Sequence, residues 1–239
     1  MTSGLVVSNL CAGYGDVSVL TDVSMSAEVG VITAVIGSNG AGKTTLLRSL
    51  SGLLKPRQGS IRSGEAELSG AKPLDFVKAG IAHVPEGRRL FAGMTVEDNL
   101  LMGAFARAAK PGELQRDLDR IYATFPKLAE RRRQDAVSMS GGEQQMCAIG
   151  RGLMSLPRVL MIDELSLGLS PVAVDFLVEA LKTISNDGVG IVVVEQDVAV
   201  ALDLAQHVVV MDRGRVSKGG SSSEIAEDRA IRAAYLGVD

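Results

Sequence analysis

Cysteine is scarce: Cys11 and Cys147 are the only two in 239 residues. They have neither CxxC spacing nor a secretory context, which excludes a disulfide framework. Both are expected to be reduced, buried thiols of a protein that works in the cytoplasm. An excess of positive charge is also missing, since 25 basic residues face 28 acidic ones. The global positive field of a protein whose main task is holding nucleic acid is therefore excluded, with room only for a local basic patch. Long apolar runs are absent as well. Stretches such as 31–36 and 191–194 fall far short of the roughly 20 residues that cross a bilayer as a helix, so work at a membrane is expected to pass through a partner. The opening Met1-Thr2-Ser3-Gly4-Leu5 lacks the basic flank, apolar run and cleavage site of an export signal, and no export is expected. No repeat or low-complexity tract occurs.

What is present is α/β alternation around a helical stretch. Residues 5–27 alternate between apolar and polar and are punctuated by Gly13, Gly15 and Gly30, which predicts short antiparallel strands. A buried strand over 31–36 then meets a glycine loop and a helix over 43–53, with Lys55-Pro56 as its stop. A short β stretch over 60–68, a helix over 74–79 and a strand over 81–84 follow. From 95 to 153 the signals are mostly helical, with Thr95-Val96-Glu97-Asp98 as a capping pattern and a second helix over 113–125. After Pro157 the alternation resumes, with strands over 159–162, 191–194 and 208–211 and helices over 172–184 and 198–204, giving a mostly parallel sheet. Ser221-Ser222-Ser223 is expected to cap a short terminal helix. The residues beyond, to Asp239, read as a tail packed on the core.

Three motifs carry chemistry. Gly37-Ser38-Asn39-Gly40-Ala41-Gly42-Lys43-Thr44 is a complete phosphate loop (Walker A). Its glycines let successive N–H groups turn inward at a helix start, and the helix dipole adds to the anion site. Lys43 would bridge the β- and γ-phosphates, Thr44 would ligate Mg2+, and Thr45 would add a donor. The run 159–162 ending in Asp163-Glu164 places two carboxylates at the carboxyl end of a buried strand, where open α/β sheets bind ligands (Walker B). Asp163 would hold Mg2+ through water, and Glu164 would polarise the water that attacks the γ-phosphate. Ser140-Gly141-Gly142-Glu143 is a capping box. It also reads as a helix start whose exposed amides reach a phosphate held by a second subunit.

In combination these motifs resemble the nucleotide-binding subunit of ABC transporters, over essentially the whole chain. The strings Val84-Pro85-Glu86-Gly87-Arg88-Arg89-Leu90-Phe91, Ser166-Leu167-Gly168-Leu169-Ser170-Pro171 and Ala234-Tyr235-Leu236-Gly237 are similar to the LivF-type ATPases of branched-chain amino-acid importers. The resemblance implies a single cassette over 1–239 with a P-loop NTPase fold, RecA-like. An ATP-binding α/β core with an antiparallel β edge would occupy 1–86 and 155–239, and a helical insertion carrying the signature motif would occupy 87–154. It implies ATP and Mg2+ as ligands, Tyr14 stacked on adenine, and Glu86 in the place of a metal-sensing glutamine. Gln196 stands where many relatives have a histidine that contacts the γ-phosphate. A glutamine donates a hydrogen bond but does not titrate near neutral pH.

Two other departures concern geometry. Leu165 replaces a usual proline, which removes a constraint on φ beside Glu164 and predicts looser positioning of that base. Ser170 takes the place of an aspartate used across the dimer, and Ala92 that of another proline. The implied partners are a second ABC ATPase, identical or LivG-like, integral membrane permeases contacted around 87–94, and indirectly a periplasmic or extracellular solute-binding protein; nucleic acid is not implied. The place of work would be the cytoplasmic face of the inner membrane. Import of urea or short-chain amides shares much of the same motif set. A soluble ABC ATPase acting on nucleic acid or ribosomes is a further alternative, disfavoured by the single cassette and the lack of a long coiled-coil insertion.

Overall fold

The computed structural model describes residues 3–233, so the 234–237 string and the expected tail lie outside the described residues. Strands β1 (Ser3–Tyr14) and β2 (Val17–Glu28) pair antiparallel across a two-residue turn at Gly15-Asp16. They are twelve residues each rather than the short strands expected. Register shifts around Leu10 and Ala12 absorb the breaks in alternation as bulges, so pairing continues through them. β3 (Ile32–Ile36) is buried at every residue, and the glycine loop leads from it into α1 (Lys43–Leu50). This helix stops three residues before the expected end. Gly52 turns to φ 72°, and the N–H groups of Leu53 and Leu54 close back on the Arg48 carbonyl, so a left-handed glycine, not the later proline, ends it.

β4 (Gln58–Ser63) and β5 (Ala66–Glu67) complete a four-stranded antiparallel sheet of order β2-β1-β4-β5. After α2 (Pro73–Lys78) and β6 (Ile81–Val84) comes a helical stretch: α3 (Val96–Met102), α4 (Pro111–Thr124), α5 (Pro126–Glu130), a 3-10 turn at Ala136–Ser138, and α6 (Gly141–Leu153). Thr95 caps α3 in the box expected, accepting from the Asp98 N–H at 3.1 Å. β7 (Val159–Asp163), α7 (Pro171–Asn186), β8 (Gly190–Glu195), α8 (Val198–Leu204) and β9 (His207–Asp212) restore the alternation. β10 (Arg215–Ser221), α9 (Ser222–Glu227) and α10 (Arg229–Ile231) follow, with Ser221 capping α9 as expected.

The second sheet runs β10-β9-β3-β8-β7-β6, parallel except for β10 against β9. Its strands β3, β7 and β8 are buried at every residue and largely apolar on both faces, because each face closes a separate core. Ile32, Ala34 and Ile36 join the helices 96–204 on one side, whereas Val35 faces α1 and the antiparallel sheet on the other. The helical stretch thus shares one continuous core with the parallel sheet. Cys147 is buried, as expected; Cys11 is free but only half-buried, because β1 presents it between Asn9 and Asp22 near the sheet surface.

Candidate functional site

The loop 37–42 connects the carboxyl end of the central strand to a helix start, and close packing fixes its glycines. A Cβ at Gly37 would lie 2.3 Å from the Met211 carbonyl oxygen, and one at Gly42, where φ is 104°, 2.8 Å from Leu20 Cδ2. The β9–β10 turn fastens the loop from outside: Gly214 N donates to Ala41 O at 2.9 Å, and Thr21 N donates to Gly214 O at 2.8 Å. No side chain among the described residues caps α1, so its first amides stay available to an anion. Lys43 is buried, and its Nζ donates to the carbonyls of Gly37 (2.7 Å) and Ser38 (3.2 Å). Burial lowers its pKa, against the opposing pull of Glu164, Asp163 and Glu195. Thr44 is exposed beside it and Thr45 is buried.

Asp163 and Glu164 close the adjacent strand. Asp163 is 3% exposed, and its Oδ1 is buried with no hydrogen-bond partner among the described residues. Burial first, then the charges of Glu164 and Glu86, pushes its pKa up to about 6, with Lys43 and Arg48 opposing. An orphaned carboxylate oxygen among like charges fits a divalent cation. No three His, Cys, Asp or Glu side chains converge as a metal cage among the described residues. Mg2+ suits such a place because it takes one or two carboxylates and completes its shell with water and phosphate oxygens.

Glu164 adopts a left-handed φ of 53°, its N–H donates to Val194 O at 3.0 Å, and its carboxylate accepts from Gln196 Nε2. The turn after Glu164 has contacts of its own in place of the usual proline. Leu165 is fully buried in the helical-side core and Ser166 is hydrogen-bonded to Glu195, so packing and hydrogen bonds restrain the turn where proline would.

Lys43, Asp163, Glu164, Glu86 and Gln196 are therefore brought together. Tyr14 stands at the tip of the β1–β2 hairpin, 42% exposed, its hydroxyl accepting from Arg48 Nη1 at 3.1 Å. Ser140, Gly141, Gly142 and Glu143 lie apart, in a cleft of about 480 Å³ that Leu169, Ala173 and Phe176 also line. There Ser140 Oγ donates to Glu143 Oε2 at 2.7 Å, while the Glu143 N–H donates back. Burial resists ionisation of Glu143, but the Ser140 bonds and Arg131, whose Nε is 2.8 Å away, hold its pKa below the ordinary carboxylate value. Gly142 permits the close approach of α7, since a Cβ would meet that of Ala173 at 2.9 Å.

Glu86 begins an exposed turn in which Gly87, Arg88 and Arg89 are all left-handed. Arg151 of α6 holds this turn, donating to Arg88 O (3.0 Å) and Arg89 O (2.7 Å) and lying over the Phe91 ring at 5.2 Å. Arg88 is half-buried against Gly141 rather than free in solvent, whereas Arg89 and Phe91 are exposed. Beside them runs a groove lined by Val77, His83, Phe91, Met102 and Ser155. Sequence reasoning missed Arg151, Glu195 and the β10 hairpin. Only the last had a local signal, the turn-forming Asp212-Arg213-Gly214.

A glycine loop feeding a helix start, beside carboxylates at the ends of parallel strands, defines a phosphate-loop nucleotide hydrolase. Comparison with known proteins narrows this class. The ABC transporter family profile matches residues 20–166. The high-affinity branched-chain amino acid transport ATP-binding protein BraG of Pseudomonas aeruginosa is 42% identical over 94% of this chain and 95% of its own length. The probable branched-chain amino acid transport ATP-binding protein LivF of Archaeoglobus fulgidus is 33% identical over 96% and 97%. A solved ATP-binding subunit of an ABC transporter superposes with a TM-score of 0.84 at 30% identity, covering 98% of this chain and 97% of that one. The chain belongs to the ABC transporter family, as an ATP-binding and ATP-hydrolysing transporter subunit. No helix among the described residues is long and apolar enough to cross a membrane.

Proposed function

We propose that this chain supplies the energy for uptake of branched-chain amino acids through a membrane permease. The similarity to BraG, which spans nearly the full length of both chains, carries this reading. In it the amides of 37–42, with Thr45, cradle the phosphates, Lys43 neutralises the β- and γ-oxygens, and Tyr14 stacks on adenine. Thr44, Asp163 and Glu86 would hold Mg2+, which when bound neutralises the phosphate charge. Glu164 orients the attacking water, and Gln196, donating to Glu164, keeps that carboxylate aimed.

Ser140 to Glu143 supply the second contact, to ATP held by another cassette, identical or LivG-like. They line a cleft that none of the phosphate-loop residues 37–44 lines, which fits a contact made to a second subunit. The stretch 87–154 is the helical subdomain that carries this contact. The exposed groove at Phe91 and Met102 meets the permease, which holds the cassette at the cytoplasmic face of the membrane.

Replacing Glu164 with Gln keeps size and hydrogen bonding but removes basicity, so hydrolysis should fall by roughly 100- to 10,000-fold while ATP binding survives. The variant should accumulate an ATP-bound dimer in light scattering, and Ser140→Arg should abolish it. Near-normal phosphate release by Glu164→Gln would transfer the catalytic role to another group. In vesicles holding the cognate permeases and binding protein, ATP-driven uptake of leucine, isoleucine and valine tests the solute; uptake of urea alone would overturn it.

A further inference from the structure

Glu195 has no part in the scheme above, yet it lies beside its centre. It ends β8 at 1% exposure, and its carboxylate accepts from three donors. Ser166 N reaches Oε1 at 2.8 Å, Ser166 Oγ reaches Oε2 at 2.9 Å, and Gln196 N reaches Oε2 at 3.2 Å. Ser166 stands two residues beyond Glu164, and the Gln196 side chain donates to Glu164 itself. A ring results: Glu164 to Gln196 through side chains, Gln196 to Glu195 through its backbone, Glu195 to Ser166, and Ser166 back to Glu164 through buried Leu165.

Glu164 needs such a ring. Its left-handed φ is disfavoured for a residue with a Cβ, and such a conformation persists only where the surroundings over-determine it. The chemistry of residue 195 matches the task. A buried carboxylate is expensive to ionise, and burial raises the Glu195 pKa while the Ser166 and Gln196 hydrogen bonds oppose the rise. A glutamine would escape that cost but would turn an NH2 group toward one of the donors. All three partners donate, and only a carboxylate is acceptor on every side.

We propose that Glu195 is a positioning residue for ATP hydrolysis: it staples the turn after β7 to the end of β8 and so holds Glu164 against Gln196 in the geometry that orients water. This rests on the assignment of Glu164 as the water-orienting group.

The test uses the full chain with Mg-ATP and compares turnover, ATP affinity and melting temperature for wild type, Glu164→Gln, Glu195→Gln, Ser166→Ala and the double variant Glu164→Gln/Glu195→Gln. Glu195→Gln should lower kcat by about 10- to 100-fold, the scale of a small misplacement of a reacting group, with KM and ATP affinity, which feel Glu195 only through its charge facing Lys43, changed far less. Ser166→Ala should shift kcat the same way by less. In the Glu164→Gln background the Glu195 change should add almost nothing, because no carboxylate is left to aim. Multiplying losses in the double variant, or full turnover in both Glu195→Gln and Ser166→Ala, would overturn the proposal. Should Glu195→Gln fail to fold, Ser166→Ala, alone and combined with Glu164→Gln, separates the same outcomes. Normal turnover by Glu164→Gln would instead remove the underlying catalytic assignment, whatever the Glu195 variants do.

Discussion

Lys43 shows how much one residue owes to its surroundings. Its ammonium is buried, satisfied by two loop carbonyls, and faced by the charges of Asp163, Glu164 and Glu195. Polyphosphate would replace those weak partners with charge-assisted contacts worth about 1.5–3 kcal/mol each. Removing the side chain leaves the loop's dipoles but no balancing cation. Lys43→Ala should therefore weaken Mg-ATP binding by at least about 100-fold, taking two such contacts. Calorimetry reads this directly, and equal affinity in variant and wild type would exclude Lys43 from the phosphate site. The role proposed for Lys43 comes from its neighbours in sequence. The role proposed for Glu195 does not, because its partners Ser166 and Gln196 belong to two strand ends that meet only through β7–β8 pairing.

At the scale of elements, α6 does more than present Ser140 at its start. Its last turn carries Arg151, which grips a turn of three consecutive left-handed residues. Each non-glycine residue there costs about 1–2 kcal/mol, and two charged hydrogen bonds with a cation–π contact offset the strain. Arg151→Ala should cost about 2 kcal/mol in urea unfolding, net of what water restores to the carbonyls. Arg151→Lys should recover less than half, since a lysine lacks the planar fork that spans both carbonyls. Unchanged unfolding midpoints would mean that the turn holds itself. Local signals placed the caps at Thr95, Ser140 and Ser221 well. They failed where an element leans on distant ones: β10 pairs with β9 and its hairpin tip bonds to the phosphate loop and β2, whereas its own residues Lys218-Gly219-Gly220 are poor strand formers.

For the whole molecule, the parallel sheet is a wall between two cores, and polar groups caught in it link stability to pH. His83 in β6 has Nε2 buried without a partner among the described residues, and burial, then Arg48, pushes its pKa down to about 4. A histidine whose folded pKa lies below its unfolded value favours the folded state when neutral. That contribution is complete above about pH 6.5 and is lost as pH falls toward 4, at about 1.4 kcal/mol per pH unit. Asp163 works in the opposite direction, its raised pKa adding stability as it takes up a proton below about pH 6. The comparison must therefore be between proteins. Wild type should lose stability relative to His83→Gln as pH drops from about 6.5 to 5, read by guanidinium unfolding at each pH. Parallel curves would show that His83 is not held neutral.

The sequence by itself determined what depends on short spacing: a phosphate loop needs its glycines, lysine and threonine within eight residues, and a capping box needs its serine and glutamate three apart. Alternation of apolar strands with helices likewise announced the parallel sheet, because strands buried on both faces must be apolar throughout. Only the tertiary structure decided how the strand ends are tied together. Glu195, Ser166 and Gln196 close around Glu164, Arg151 restrains the turn after Glu86, and Gly214 fastens the phosphate loop. Most of these contacts join residues far apart in the chain, and no local propensity encodes a hydrogen bond whose partners meet only when strands pair.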